Sequence, residues 1–311
     1  MEARSSAPRA LVVVAFAAVS VIWGSTYLGI RIALHEFPPF MIGALRFLFA
    51  GAVLCGYAKA RGQRWPTATE WRGAAIVGGL FFMVGNGLLC VAEKTVSSSL
   101  AAVLVATMPL WATVFARLFG EPVVKSDWAG LALGLAGVVV MNLGGQLRAS
   151  GMGAALALLA PMGWALGSVL SKRLRLPSGA MSVGAEMLAG GVMVLAVSTA
   201  LGEKWPAAVS LRSASAVTYL AVMGSLVGFN AYAFLLRNTR AAVATSYAYI
   251  NPVVAILLGI GLGGEHLDAA SASGGGIVLM AVLLVSRGRA STPIVKPSPS
   301  PMVVSGEAAA S

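Results

Sequence analysis

Two ionisable residues lie inside stretches of sequence that are otherwise apolar. Arg46 falls within the apolar block 39–59, and Glu186 falls within the apolar block 180–201. A charge in such surroundings is costly, so it usually serves a function or pairs with another polar group. Glu186 could bind and release a proton, and Arg46 could attract a carboxylate. Two structural alternatives stay open: Arg46 can extend its charged end toward the membrane surface, and Glu186 can hydrogen-bond between helices.

A second group of residues combines aromatic rings with small polar groups in the same kind of apolar block. Trp and Tyr near the middle of a block are poorly placed as surface anchors and well placed to line a cavity. Amides and hydroxyls there either hold helices together or contact a ligand. The candidate substrate-binding residues are Trp23, Ser25, Thr26, Asn86, Thr107, Trp111, Trp164, Asn230, Tyr247, Tyr249 and Asn251.

Two prolines stand near the middle of their blocks, Pro109 in 97–117 and Pro252 in 241–263. Each proline removes one backbone hydrogen bond and disturbs the preceding turn. Broken helices at matching depth indicate a substrate site in many carriers, so both prolines are candidate hinges beside the site. A simple packing kink is the alternative.

The elements that must position these residues are membrane-spanning helices. The chain has 311 residues, of which 58% are hydrophobic and only 11% are charged, which excludes an ordinary soluble domain. A helix needs about 20 apolar residues to cross the hydrocarbon core. We therefore predict an all-α integral membrane protein with ten transmembrane helices. The predicted spans are 10–33, 39–59, 70–92, 97–117, 126–145, 151–171, 180–201, 213–236, 241–263 and 269–287.

The distribution of Lys and Arg predicts the orientation of these spans. Sixteen basic residues fall in segments on the same side as the N-terminus, and four fall in the loops on the other side. Basic residues accumulate on the cytoplasmic side of a membrane. We expect both termini in the cytoplasm, with residues 1–9 as a short N-terminal segment and residues 288–311 as a disordered tail.

The two halves of the chain resemble each other. Trp23 with Ser25 recurs as Trp164 with Ser168, and Asn86 recurs as Asn230. Met108-Pro109 and Gly120-Glu121 likewise recur as Asn251-Pro252 and Gly264-Glu265. Each half, 10–145 and 151–287, has five predicted spans. Because five is an odd number, the second copy must enter the membrane from the opposite side, which gives two inverted five-helix repeats.

These motifs resemble the EamA-type members of the drug/metabolite transporter superfamily. The resemblance covers about residues 10–287. It rests on the segments Ile22-Trp23-Gly24-Ser25-Thr26-Tyr27, Arg46-Phe47, Pro109 with Gly120-Glu121, and Ser246-Tyr247-Ala248-Tyr249-Ile250-Asn251-Pro252-Val253-Val254 with Gly264-Glu265. The resemblance implies a ten-helix carrier of the bacterial inner membrane that exports amino acids or other small metabolites. Alternating access of the two repeats would move the substrate, with proton coupling as an open option.

Two other functions are considered beside this carrier. The first is an exporter of drugs or toxic compounds with broad specificity, for which a tolerant aromatic cavity would suffice. The second is a membrane-embedded enzyme that modifies lipids, which would need a nucleophile with its base or a metal cluster near one face. No enzymatic activity is expected, because no such set of residues stands out.

Further ligands and partners are not expected. The net charge of +11 comes from short basic groups between apolar blocks and forms no extended basic face, so no nucleic acid is expected as a partner. His35, His266, Glu265 and Asp268 lack the convergent spacing of a metal site, and no cofactor motif is present. The expected partners are a small-molecule substrate and the lipid bilayer.

Overall fold

The computed structural model describes residues 8–96, 104–121, 123–141, 151–251, 253–254 and 269–287 of the chain. These residues form helices joined by short connections, and no β-strand occurs among them. Numbered along the chain, the helices are α1 (Arg9–Ala33), α2 (Pro39–Ala60), α3 (Ala68–Ala92), α4 (Met108–Leu118), α5 (Lys125–Met141), α6 (Gly151–Leu170), α7 (Gly179–Ala200), α8 (Leu211–Asn238), α9 (Ala241–Thr245) and α10 (Ala269–Arg287). A further helical stretch covers residues 247–251.

Six of these helices are long and apolar enough to cross a membrane: α1, α2, α3, α6, α7 and α8. They contain 20 to 28 residues each, in agreement with the predicted spans over the same parts of the chain. The predicted spans 97–117, 126–145 and 241–263 are described only in part, and the predicted tail 288–311 lies outside the described residues. The all-helical membrane architecture is therefore confirmed, whereas the count of ten spans stays a prediction.

Local sequence explains where several helices begin. Pro39 stands in the first turn of α2, where a missing N–H costs nothing, and the extended Pro38 precedes it. Before α3, the Thr67 hydroxyl accepts a bond from the Glu70 backbone N–H, and the Glu70 carboxylate accepts a bond from the Thr67 backbone N–H. This reciprocal pair satisfies two donors that a helix start would otherwise leave unpaired.

The bundle has two ends, which we name after residues that lie there. At the Glu36 end, α1 is followed by Glu36, whose carboxylate accepts a bond from the Ser210 backbone N–H before α8. At the Arg240 end, the Arg240 guanidinium donates to Asp127 of α5 and to the Val285 carbonyl of α10. The ion pair of Arg240 with Asp127 therefore joins the start of α9 to the start of α5.

Helices α2 and α7 pack against each other along their length in opposite directions. The Glu203 carboxylate, just after α7, accepts bonds from the Phe40 and Met41 N–H groups at the start of α2. Gly51 of α2 and Gly184 of α7 permit the close contact, because an added methyl group at either would meet the other helix at less than 3 Å. Helices α5 and α10 form the other extensive pair, with Gly130 and Gly137 against Val285 and Val278.

Two helices contain a segment with π-helical hydrogen bonding at corresponding positions. The segment in α3 is Gly79–Gly87, and the segment in α8 is Leu220–Val227. π-Helical turns disturb the regular pairing of backbone groups and are frequent at functional sites. Both segments contribute residues to the interior of the bundle.

The crossing of α3 and α7 yields a test of packing. A methyl group at Gly78 would lie 2.1 Å from the Glu186 carbonyl oxygen, which belongs to backbone and cannot swing aside. We expect Gly78→Ala to lower the free energy of unfolding by about 1–3 kcal/mol, because it forces the two helices apart. Thermal unfolding of the purified protein in detergent measures this.

Gly56→Ala is the matched control, since nothing lies within 4 Å of a methyl group at that position of α2. It should be neutral or slightly stabilising, because alanine favours a helix by about 1 kcal/mol over glycine. Equal stability of the two variants would contradict the close crossing of α3 and α7.

Candidate functional site

A central cavity lies between the two halves of the chain and contains about 620 Å³ of space free of protein atoms. Its walls come from α1, α2, α3, α4, α6 and α8, and from the stretch 247–251. The residues that line it are Trp23, Thr26, Tyr27, Ile30, Arg46, Phe47, Gly85, Asn86, Leu89, Val105, Met108, Ala160, Pro161, Trp164, Gly224, Phe229, Tyr247 and Asn251. Most of these groups are apolar or aromatic, and only a few polar groups point inward.

The wall of the cavity toward the Arg240 end is an aromatic cluster centred on Trp23. The Trp23 ring lies 5.3 Å from Trp164, 4.9 Å from Tyr247 and 5.1 Å from Tyr232, measured between ring centroids. Phe229 packs against both tryptophans at 5.6 Å. Such tilted and edge-on pairs are favourable beyond the area they bury, so the cluster forms a rigid wall.

Trp23 is held in this cluster by the π-helical segment of α8. Its indole N–H donates to the Gly224 carbonyl at 2.8 Å. A methyl group at Gly228 would lie only 2.6 Å from the Trp23 Nε1, so this glycine admits the ring. Trp164, the corresponding residue in the second half, lies beside the Tyr232 hydroxyl without a hydrogen bond of normal geometry. The two tryptophans thus share a position in the repeat but differ in their polar contacts.

Arg46 brings a positive charge to the cavity. Its side chain is buried, and its Nε and Nη1 atoms have no hydrogen-bond partner in the described part of the protein. The guanidinium carbon lies 5.0 Å from the centre of the Phe47 ring, and Gly224 leaves room for Nη2. Because a buried guanidinium strongly favours a partner, Arg46 can accept an anionic group of a ligand.

Glu93 is a candidate that sequence reasoning missed. It directly follows α3 and lies one helical turn beyond Leu89, which lines the cavity. Its Oε1 atom is buried without a hydrogen-bond partner among the described residues. Burial raises the pKa of Glu93 to about 8, while the charges of Arg31 and Arg46 act in the opposite direction. Its position just past the end of the predicted span 70–92 excluded it from an argument based on depth in the membrane.

The structure brings seven of the predicted site residues together around the cavity. These are Trp23, Thr26, Arg46, Asn86, Trp164, Tyr247 and Asn251. The Asn251 Oδ1 atom is buried without a partner among the described residues, and the Tyr27 hydroxyl lies beside its amide. Substrate contact stays a prediction for all seven.

The remaining predicted residues that the structure describes lie outside the lining of this cavity. The Ser25 hydroxyl is 2.5 Å from the Tyr219 hydroxyl, and the Asn230 amide donates to the Leu226 carbonyl at 2.6 Å. Trp111 stacks on Phe115, with 6.2 Å between ring centroids. Each of these side chains thus has a structural contact of its own.

Thr107 and Tyr249 line a second, largely apolar cavity of about 390 Å³ beside α5. The helical pattern is interrupted nearby, since residues 106–107 form a turn before α4 and Ser246 forms a turn after α9. Pro109 lies buried in the first turn of α4, directly after the first of these turns. Pro252 lies outside the described residues.

Glu186 is buried between helices and does not line the cavity. Its carboxylate accepts a bond from the Ser182 hydroxyl one turn earlier in α7, at 2.8 Å. This bond lies within α7 and does not join two helices, so both the proton-binding role and the interhelical bond of Glu186 stay predictions. Within the described residues, no group of three His, Cys, Asp or Glu side chains could hold a metal ion.

The unequal contacts of the two tryptophans yield a test. Trp23→Phe keeps an aromatic ring but leaves the buried Gly224 carbonyl without its donor, so we expect a loss of roughly 1–3 kcal/mol of stability. Trp164→Phe removes no well-formed hydrogen bond and should cost clearly less. Thermal unfolding of both variants measures the difference, and equal losses would show that the Trp23 hydrogen bond contributes nothing.

Comparison with known proteins gives the family. A model of the EamA-like transporter family matches residues 10–143 and, a second time, residues 151–287. The chain is 46% identical over 287 residues to the uncharacterized inner membrane transporter YedA of Escherichia coli (strain K12), covering 92% of this chain and 94% of YedA. It is 27% identical over 240 residues to the uncharacterized transporter YdfC of Bacillus subtilis (strain 168), covering 76% of this chain and 78% of YdfC.

A solved crystal structure has the same fold, with a TM-score of 0.72 at 22% sequence identity. The superposition covers 88% of this chain and 96% of the other. The double match of the family model agrees with the internal repeat predicted from the sequence. The protein is thus a membrane transporter rather than an enzyme, and it belongs to the EamA-like transporter family.

Proposed function

We propose that this protein is a secondary-active carrier of the bacterial inner membrane that exports amino acids or related small metabolites. The observation that carries the proposal is the central cavity with its aromatic walls, where the buried Arg46 has two nitrogen atoms without a partner in the described part of the chain. Both family domains contribute to it, through Arg46 and Asn86 from the first and Trp164 and Tyr247 from the second. A site between two halves can open alternately to the two sides of a membrane.

The chemistry of the cavity supports an amphipathic substrate with a carboxylate. A guanidinium binds a carboxylate with charge-assisted hydrogen bonds, and aromatic side chains accept an apolar group. The cavity offers both within one space, with Arg46 on α2 and the aromatic cluster around Trp23. An amino acid with a large apolar side chain combines these features.

The packing supports two inverted repeats that exchange access. Helices α2 and α7, which occupy the same position in the two halves, pack against each other in opposite directions. The other matched pair, α5 and α10, packs in the same way, and α3 and α8 carry matched π-helical segments. Pairing of equivalent helices is the arrangement that a pseudo-twofold axis between the halves requires.

The contacts at the two ends support a state that is closed at the Arg240 end. Arg240 pairs with Asp127 there. At the same end, Lys172 donates to the Thr239 carbonyl and Arg173 donates to the Phe119 carbonyl. The cavity extends from the aromatic cluster toward the Glu36 end, where Ile30 and Leu89 line it. With both termini in the cytoplasm, as the basic residues predict, the Glu36 end faces outward.

Exchange by purified protein in proteoliposomes tests the proposed function. Proteoliposomes that contain the protein and are loaded with unlabelled amino acid should take up a subset of a labelled amino-acid panel in exchange, in a saturable manner. If no amino acid is exchanged but cationic dyes are transported, the result favours the broad-specificity drug exporter instead. No transport of either class by folded protein would contradict the carrier.

Arg46→Gln tests the role of the guanidinium in the same assay. We expect the KM of the exchanged amino acid to rise at least tenfold, because a charge-assisted hydrogen bond contributes about 1.5–3 kcal/mol. Arg46→Lys keeps the charge and should lose less. An unchanged KM in Arg46→Gln would remove this residue from the site.

Glu186→Gln tests proton coupling through α7. Since the carboxylate bonds to Ser182 away from the cavity, we expect the variant to keep the dependence of transport on a pH gradient. The measurement is exchange with and without an imposed gradient, in vesicles with equal amounts of protein. Loss of the gradient effect would assign coupling to Glu186.

A further inference from the structure

Glu93 differs from five other carboxylates in the described part of the protein, because its Oε1 atom is buried without a hydrogen-bond partner there. Glu203 accepts bonds from Phe40, Met41 and Ser198, and Glu36 accepts a bond from Ser210. Glu70, Asp127 and Glu186 likewise have donors in Arg64, Arg240 and Ser182. The buried Oε1 atom of Glu93 has no such donor among the residues that the structure describes.

The surroundings of Glu93 connect it to the cavity. Among the described residues, the titratable or charged groups that interact with it electrostatically include Arg31 and Tyr27 of α1, Arg46 of α2 and Cys90 of α3. Helix α6, which packs against the end of α3, contains no titratable residue. Although Arg46 is nearby, it forms no ion pair with Glu93 within 4.0 Å. Arg46 lines the cavity, and Glu93 lies one helical turn beyond the lining residue Leu89; each has polar atoms without a hydrogen-bond partner among the described residues.

This arrangement can hold two opposite charges of one ligand. A direct ion pair would satisfy Arg46 and Glu93 with each other and would leave the cavity without charged contacts. Their separation leaves the Arg46 nitrogens for an anionic group and the Glu93 oxygen for a cationic one. A proton is the smallest cation that can satisfy the same oxygen.

We propose that Glu93 binds the ammonium group of a substrate and that this group competes there with a proton. The inference rests on the proposed function and adds a second binding residue, together with the place where a proton would be exchanged. When the ammonium group binds, the O–H bond of the Glu93 carboxyl breaks and the proton leaves to water at the Glu36 end. When the substrate leaves, the carboxylate takes up a proton again, so no other reactant is needed.

The sign of the pH effect follows from the state of Glu93 without substrate. With its pKa raised to about 8, about nine in ten Glu93 carboxyl groups carry a proton at pH 7. Binding of an ammonium compound at pH 7 should then release close to one proton. Release should fall toward zero above about pH 9, because Glu93 is ionised before binding.

Proton release measured on purified protein tests this inference without a known substrate. The probes are phenethylamine, which has only the ammonium group, 3-phenylpropionate, which has only the carboxylate, and L-phenylalanine, which has both. In weakly buffered detergent solution at pH 7, the two amines should release protons and 3-phenylpropionate should not. If neither phenethylamine nor L-phenylalanine releases protons, the inference is overturned.

Two variants identify the source of the proton. Glu93→Gln should abolish the release caused by the amines, whereas Glu36→Gln should leave it unchanged. Glu36 is a suitable control because it lies at the same end, and the bonds from Ser210 hold the pKa of its carboxyl below the usual range. Unchanged release in folded Glu93→Gln would also overturn the inference.

Failure of this inference and failure of the proposed function give different results. Exchange of amino acids without proton release would leave the carrier in place and exclude Glu93 as the shared site. Proton release by phenethylamine without exchange of any amino acid would retain the Glu93 site and contradict amino-acid transport.

Discussion

The incompletely bonded Arg46 guanidinium sets the main physical constraint on this structure. A charged group surrounded by apolar helices is unfavourable unless protein, water or a ligand satisfies it. Its Nε and Nη1 atoms have no hydrogen-bond partner among the described residues, and the cavity provides the space in which another group can bind them. The guanidinium packs near the Phe47 ring, and the absence of a side chain at Gly224 leaves room for its Nη2 atom. The arrangement of α2, α3 and α8 around Arg46 is therefore also the arrangement that shapes the cavity.

The two halves share a plan but differ where the cavity is formed. Trp23 and Trp164 hold corresponding positions and touch each other, yet within the described residues only Trp23 has a well-formed hydrogen bond, to the Gly224 carbonyl. Arg46 corresponds to Glu186, and the first faces the cavity whereas the second bonds to Ser182. A perfectly symmetric pair of halves would place the same groups on both walls. The differences give the site a polar side, on α2, and an aromatic side.

Much of the fold and a smaller part of the site could be predicted from the sequence. Uninterrupted apolar stretches determine a membrane helix by length alone, so α1, α2, α3, α6, α7 and α8 were predictable. Trp23, Trp164 and Tyr247 were predictable as cavity residues because aromatic rings at mid-span are poorly explained as anchors. Ser25 and Asn230 show why others were not, since depth does not reveal which face of a helix a side chain occupies. The π-helical segments, which change that face within a helix, have no simple sequence signal.

Polar contacts at the two ends of the bundle serve different purposes. At the Arg240 end, the Asp127 carboxylate is almost completely buried and accepts both the Arg240 guanidinium and the Val124 N–H. Separating such a pair leaves a buried carboxylate uncompensated unless water enters. Any state that opens this end must therefore hydrate Asp127 as α9 moves away from α5. At the Glu36 end, Glu203 instead bonds to the first N–H groups of α2, and this contact can persist while the cavity is open beside it. The difference makes the Arg240 end the one at which opening requires the larger electrostatic rearrangement.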